Sequence, residues 1–127
     1  MTLVFVYGTL KRGFSNHHHL AGQAFVAAAR TAPGYALYAL QGYPGMVRQD
    51  GEPTGVEGEV WSVDDACLAR LDVLECTAEG LYRREAVPLG APFAGQRVEA
   101  YLYGKSVKDR RRAGGNWLEE AAGPGQT

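Results

Sequence analysis

Apolar and polar positions alternate with a period of two in a few short stretches of this chain, and one stretch changes to a helical period. Leu3–Tyr7 is a β-branched and aromatic run that stops at Gly8, the pattern of a strand. Ala24–Arg30 suits a second strand, although its alanines fit a helix equally well. Tyr35–Leu40 alternates weakly as a strand, Gly42-Tyr43-Pro44-Gly45 reads as a turn, and Met46–Arg48 resumes extended chain. In Val56–Val63, Val56, Gly58 and Val60 share one face and Glu57, Glu59, Trp61 and Val63 the other. Tyr82–Leu89 and Gln96–Gly104 are two more strands, joined by a hairpin connection over Gly90–Gly95. In the second of them Val98, Ala100 and Leu102 oppose Glu99, Tyr101 and Tyr103.

Between these strands, Cys67, Leu68, Leu71 and Leu74 fall on one side of a helix at about 100° per residue. Ser62 is placed to cap that helix, and Asp64 and Asp65 suit its positive end. A shorter turn, His17–Leu20, follows a capping Asn16. Many strands with one good helix predict an α+β fold: a mostly antiparallel, barrel-like sheet. Residues 1–120 read as a single domain and 121–127 as a frayed tail.

Composition narrows the function classes. A net charge of −1 is a poor match for nucleic acid, because neutralising phosphates needs a clear cationic excess. The run Arg110-Arg111-Arg112 reads as a solvated face of the tail. The apolar run Ala24–Ala29 is far short of the ~20 residues that span a bilayer, so no membrane is expected as a partner. The chain starts with a strand-like segment and no basic leader. Cys67 and Cys76 lie at opposite ends of the predicted helix, which predicts free thiols and a cytoplasmic setting.

Several catalytic motifs can be dismissed. Gly8 and Gly13 have the spacing of a phosphate loop, but Phe14 and Ser15 follow where Lys and Ser/Thr are needed. Neither Gly13-Phe14-Ser15-Asn16-His17 nor Gly104-Lys105-Ser106-Val107-Lys108 completes a serine nucleophile elbow. No Cys-x-x-Cys exists, and His17-His18-His19 has no second cluster to complete a metal site; it reads as a solvated capping turn. Tyr35, Tyr38 and Tyr43 read as sheet packing. Glu75 stands apart. It lies four positions after Leu71 and seven after Leu68, at the edge of the apolar stripe, where desolvation would make it a stronger base. The competing reading ends the helix at Leu74 and leaves Glu75 in solvent.

Taken together, the residues resemble a known family. Val4-Phe5-Val6-Tyr7-Gly8-Thr9-Leu10-Lys11-Arg12-Gly13 is similar to the N-terminal signature of the γ-glutamylcyclotransferase-like superfamily, nearest to its γ-glutamylamine cyclotransferase branch and bacterial relatives. Asn16-His17, Tyr43-Pro44-Gly45-Met46, Val56-Glu57-Gly58-Glu59-Val60, Leu71-Asp72-Val73-Leu74-Glu75, Leu81-Tyr82-Arg83-Arg84, Ala100-Tyr101-Leu102-Tyr103 and Trp117 follow in order.

The resemblance implies a small mixed barrel flanked by helices, with a cavity at one end. It also implies release of 5-oxoproline from an L-γ-glutamyl compound, with no cofactor and no metal. Glu75 matches the family's acid/base, and Tyr7, Gly8, Thr9 and Leu10 match its substrate loop. Backbone N–H groups of that loop suit a substrate carboxylate or oxyanion. Tyr82 or Tyr103 is placed to steady Glu75 through a phenol hydrogen bond. The segment Cys76–Leu81 matches no one branch, so the leaving amine stays open among lysine-type amines, aminoglycoside-like amines and γ-glutamyl amino acids. Two alternatives on the same scaffold are removal of a γ-glutamyl protecting group and a non-catalytic small-molecule binding protein. Gly and Pro at its ends would let Gly42–Asp50 act as a lid.

Overall fold

A computed structural model describes residues 1–118. Eight strands form one curled, mixed sheet: β1 (Thr2–Val6), β2 (Ala24–Arg30), β3 (Tyr35–Ala39), β4 (Pro44–Arg48), β5 (Glu57–Val63), β6 (Tyr82–Ala86), β7 (Glu99–Tyr103) and β8 (Arg111–Arg112). One helix, α1 (Asp65–Leu74), follows β5, and 3₁₀ turns occupy His17–Leu20 and Thr77–Glu79. The chain is therefore α+β, and the predicted tail from 121 lies outside the described residues.

The sheet runs β2-β5-β1-β7-β4-β3-β8, with β6 on the other edge of β7. Antiparallel pairs join β1 to β5, β2 to β5, β3 to β4, β3 to β8 and β6 to β7. Both parallel pairs involve β7, whose free edge is shared: β1 meets it at Val4↔Glu99 and β4 at Met46↔Leu102. One strand thus leaves that edge where another enters. The backbone groups at the changeover need partners other than a regular ladder. The Tyr7 hydroxyl supplies them, donating to the Tyr101 carbonyl at 2.6 Å and accepting from the Met46 N–H at 3.2 Å. A second phenol, Tyr82, donates to the Pro44 carbonyl at 2.7 Å. Gly8 completes the arrangement, since a Cβ there would lie 2.6 Å from Pro44 Cγ.

The period-two patterning has a plain outcome. Phe5, Tyr7, Val56, Val60, Ala100 and Leu102 enter one apolar cluster. Val4, Val6, Trp61, Val63, Tyr101 and Tyr103 enter a second, which α1 covers with Cys67 and Leu71. The central strands are therefore buried on both faces.

Local details differ from the sequence expectations. The cap of α1 is Asp64, whose carboxylate accepts from the Cys67 N–H at 2.7 Å; Ser62 is still in β5. Asn16 makes no side-chain cap, because its amide donates to Thr9 Oγ1 at 2.9 Å instead. The predicted turn at 42–45 is shorter, since Pro44 and Gly45 already pair in β4. Within the 42–50 segment, residues 44–48 form a strand hydrogen-bonded to β3 and β7. The arginine run is solvent-exposed as expected, but it is not a loose tail. Arg111 and Arg112 pair with β3, and Arg112 reaches Glu52 and lies over the Tyr38 ring. Both cysteines are free, and no described helix is long and apolar enough to cross a membrane.

Removing the Tyr7 hydroxyl strands a buried carbonyl and a buried N–H. Tyr7→Phe is expected to lose about 2–4 kcal/mol, seen as a lower urea midpoint at unchanged slope.

Candidate active site

The elements around the changeover leave a cavity of about 330 Å³ on the helix side of the sheet. Its walls come from the end of β1 and the loop after it (Tyr7, Gly8, Thr9, Leu10, Ser15, Asn16). The start of β4 (Gly42, Tyr43, Pro44), the end of α1 (Leu74, Glu75), and Leu81, Tyr82 and Tyr101 complete them. Phe5 and Val6 form part of the same wall. Glu75 is the sole ionisable carboxyl among these residues, and no Lys, Arg or His joins it.

Local folding explains where Glu75 sits. It is the C-cap of α1, its N–H bonded to the Leu71 carbonyl. Cys76 then turns left-handed at φ 54°, so the chain folds back without extending the helix. This end of α1 is pinned to the sheet by Asp72, one turn earlier. Its carboxylate accepts from the Tyr101 hydroxyl at 2.7 Å and from Arg84 at 2.9 and 3.1 Å. Glu75 itself makes no side-chain hydrogen bond or ion pair among the described residues. Burial alone pushes its pKa up to about 7. Its charge is felt by the phenols of Tyr7, Tyr82 and Tyr101, which burial chiefly raises above the ordinary phenol range.

The loop after β1 offers donors. The Gly8 carbonyl accepts from the Lys11 N–H and the Thr9 carbonyl from the Asn16 N–H, while the N–H groups of Gly8, Thr9 and Leu10 have no acceptor among the described residues. The loop is held from outside. Glu59 accepts from the Arg12 N–H, Arg12 Nε and Trp61 Nε1, each at 3.1 Å. Burial opposes ionisation of Glu59, but these donors outweigh it and hold its pKa below the usual carboxylate range. His17 Nδ1 lies 3.0 Å from the Leu10 carbonyl and its ring packs beside Trp61, so this histidine braces the loop rather than facing solvent.

The structure brings Glu75, Tyr7, Gly8, Thr9, Leu10 and Tyr82 to one cavity, and leaves Tyr103 out of its lining. Neither proposed phenol steadies Glu75. Tyr82 gives its proton to Pro44, and Tyr103 stacks edge-on against Tyr82. Sequence reasoning missed Tyr101 and Ser15 as walls and took Tyr43 for sheet packing. It also gave Glu59, the buried anchor of the loop, no role. The signal for Glu59 was weak but present: an acid flanked by apolar strand residues needs a partner.

The sequence model of the family described as gamma-glutamyl cyclotransferase, AIG2-like matches residues 4–119. The chain is 47% identical over 85 residues to a Vibrio cholerae protein provisionally named γ-glutamylcyclotransferase, covering 67% of this chain and 70% of that one. It is 37% identical over 114 residues to a Danio rerio γ-glutamylaminecyclotransferase A, covering 84% and 70%. A solution structure of an Escherichia coli protein superposes with a TM-score of 0.68 at 33% identity, covering 92% of this chain and 96% of that one. This chain belongs to the γ-glutamyl cyclotransferase, AIG2-like family.

The buried carboxyl has a cost that can be measured. Between pH 4.5 and about 7 the folded state keeps a proton on Glu75 that the unfolded state has lost. Stability therefore falls as pH rises through that window and levels off above it. Glu75→Gln lacks this dependence. Its stability advantage over the wild type should grow from near nothing at pH 4.5 to a plateau of up to about 3 kcal/mol above pH 7, read from denaturant midpoints.

Proposed function

We propose that this member of the family is a cofactor-independent cyclotransferase, releasing 5-oxoproline and a free amine from an L-γ-glutamyl compound. The observation that carries the reading is the isolated Glu75 carboxyl, poised near neutrality in a cavity whose other charge-binding groups are unused amides. The substrate's α-ammonium first gives a proton to the Glu75 carboxylate. The freed nitrogen attacks the γ-carbonyl carbon, forming the ring C–N bond. The bond to the leaving nitrogen then breaks as that nitrogen takes a proton from the Glu75 carboxyl. The ring nitrogen gives its second proton to the restored Glu75 carboxylate, which passes it to the freed amine so that it departs as an ammonium. A base with a pKa near the working pH suits these transfers.

The ring closure is intramolecular, so holding the glutamyl chain bent supplies much of the acceleration. Two groups of the substrate carry or develop negative charge: the α-carboxylate and the carbonyl oxygen. With no cation in the lining, the N–H groups of Gly8, Thr9 and Leu10 are the donors available to them. A wall of Pro44, Leu74 and Leu81 limits water near the reacting atoms.

Glu75→Gln should lower kcat for 5-oxoproline release by about 10²–10⁴-fold while the fold and ligand-induced stabilisation persist. Full retained activity would refute the assignment. In the wild type kcat/KM should rise with pH and bend near pH 7, where Glu75 loses its proton.

A further inference from the structure

Glu75 is buried with no donor of its own, yet a second carboxylate stands one turn before it on the same helix. Side chains three apart on a helix are neighbours, about 5–6 Å apart at Cβ, so the charge of Asp72 should oppose ionisation of Glu75. It leaves no mark there: burial alone accounts for the raised pKa of Glu75. The reason lies in β6 and β7. Arg84 of β6 forks onto Asp72, with Nε 2.9 Å from Oδ1 and Nη2 3.1 Å from Oδ2. Its remaining nitrogen, Nη1, donates to Glu99 Oε1 in β7, and Glu99 Oε2 accepts from Arg97 Nε at 3.0 Å. The Tyr101 hydroxyl donates to Asp72 Oδ1 at 2.7 Å.

Four charges thus alternate from the helix end to the sheet edge. Asp72 and Glu99 are the anions, Arg84 and Arg97 the cations, and they cancel. Burial opposes ionisation of Asp72, but Arg84 and Tyr101 outweigh it and hold its pKa below the usual carboxylate range. The hydrogen bond to Asp72 in turn keeps Arg84 protonated. Otherwise Glu75 faces phenols: Tyr7, Tyr82 and Tyr101, which burial raises above the ordinary phenol range, and Tyr43. Cys76 and Glu79 on the turn after α1, Lys105 beside that turn, Arg70 on the helix and the histidines at 17–19 lie outside the cavity lining.

We propose that Arg84 and Asp72 are positioning residues for the reaction: as a neutral, forked pair they fix the helix end that carries Glu75 while adding no net charge to its surroundings. Each half has its own reason. A carboxylate at position 72 can take the Arg84 fork and the Tyr101 hydroxyl together, and so ties the last turn of α1 to both strands. Left without its cation, that carboxylate would repel a charge on Glu75 and keep the base protonated while the substrate's ammonium waits to lose its proton. Arg84 removes the repulsion without entering the cavity. The inference rests on Glu75 as the base, but not on which γ-glutamyl compound that base serves.

The test removes one charge at a time. Arg84→Met leaves the cluster with one excess negative charge, so the bend in kcat/KM moves up by about half a pH unit; Arg84→Gln should do the same. Asp72→Asn keeps an acceptor for Tyr101 but leaves one excess positive charge, and the bend moves down by about as much. The ratio of kcat/KM at pH 6 to its plateau therefore falls about threefold in the first and rises about threefold in the second, and losses common to every pH drop out of it. Both shifts shrink in high salt, since the side chains of Arg84 and Asp72 are 30% and 29% exposed. The double variant Asp72→Asn/Arg84→Met, again without net charge, returns the bend to its wild-type place. A bend that stays put or moves the same way in both single variants, or that stays displaced in the double variant, makes the pair merely structural and overturns the inference. The same shifts should appear without turnover, in the pH window where the denaturant midpoint of each variant departs from that of its Glu75→Gln counterpart. Failure to release 5-oxoproline from any γ-glutamyl compound overturns the cyclotransferase reading, and the midpoints still decide this one.

Discussion

Two strands compete for one edge of β7, and the site exists because neither takes all of it. β1 pairs at the start of that edge and β4 at its end, and the phenol of Tyr7 hydrogen-bonds the backbone groups left at the junction. A regular ladder would have closed the sheet there. Instead the chain leaves β1 at Gly8 and runs past Pro44 into a loop with unused amides. The cavity is the space between that loop and the end of the helix. Fold and site are thus one construction, since the group that satisfies the sheet also forms a wall of the pocket.

Charge is allotted with equal economy. Asp72 and Glu59 are held by three donors each, and both sit below the usual carboxylate range. They fix, respectively, the helix end and the loop. Glu75 lies between those two fixed bodies with no donor of its own. A buried acid without partners destabilises the fold when ionised. It is also a group whose proton is free to move, which a committed carboxylate is not.

Much of this was readable in the sequence, and the failures have physical causes. The strand faces of Val56–Val63 and Gln96–Gly104 were correct because period-two alternation persists even in strands buried on both sides. The helix was found from its apolar stripe. Its cap was misplaced because Ser62 and Asp64 both suit the role, and only the length of β5 decides between them. Periodicity could put Glu75 at the edge of the stripe but could not separate a cavity from solvent; resemblance to the family favoured the cavity. The shared edge of β7 was invisible, because strand order depends on contacts between residues far apart in the chain. So was the fate of the phenols: nothing local tells that Tyr7 and Tyr82 spend their hydroxyls on backbone rather than on the acid. The Arg111–Arg112 pairing was missed for a similar reason, as two residues are too short a strand to leave a pattern.

Lys11 gives the loop a further property. Its buried ammonium is held by Asn116 Oδ1 at 2.9 Å and the Trp117 carbonyl at 2.8 Å, across more than a hundred residues of chain. The loop after β1 is therefore tied to a segment that is remote in sequence and adjacent in space. Cutting that tie leaves β1 in place and removes one of the contacts that fix the loop's donor amides. The order of the loop is in this way set by residues far from it in the chain.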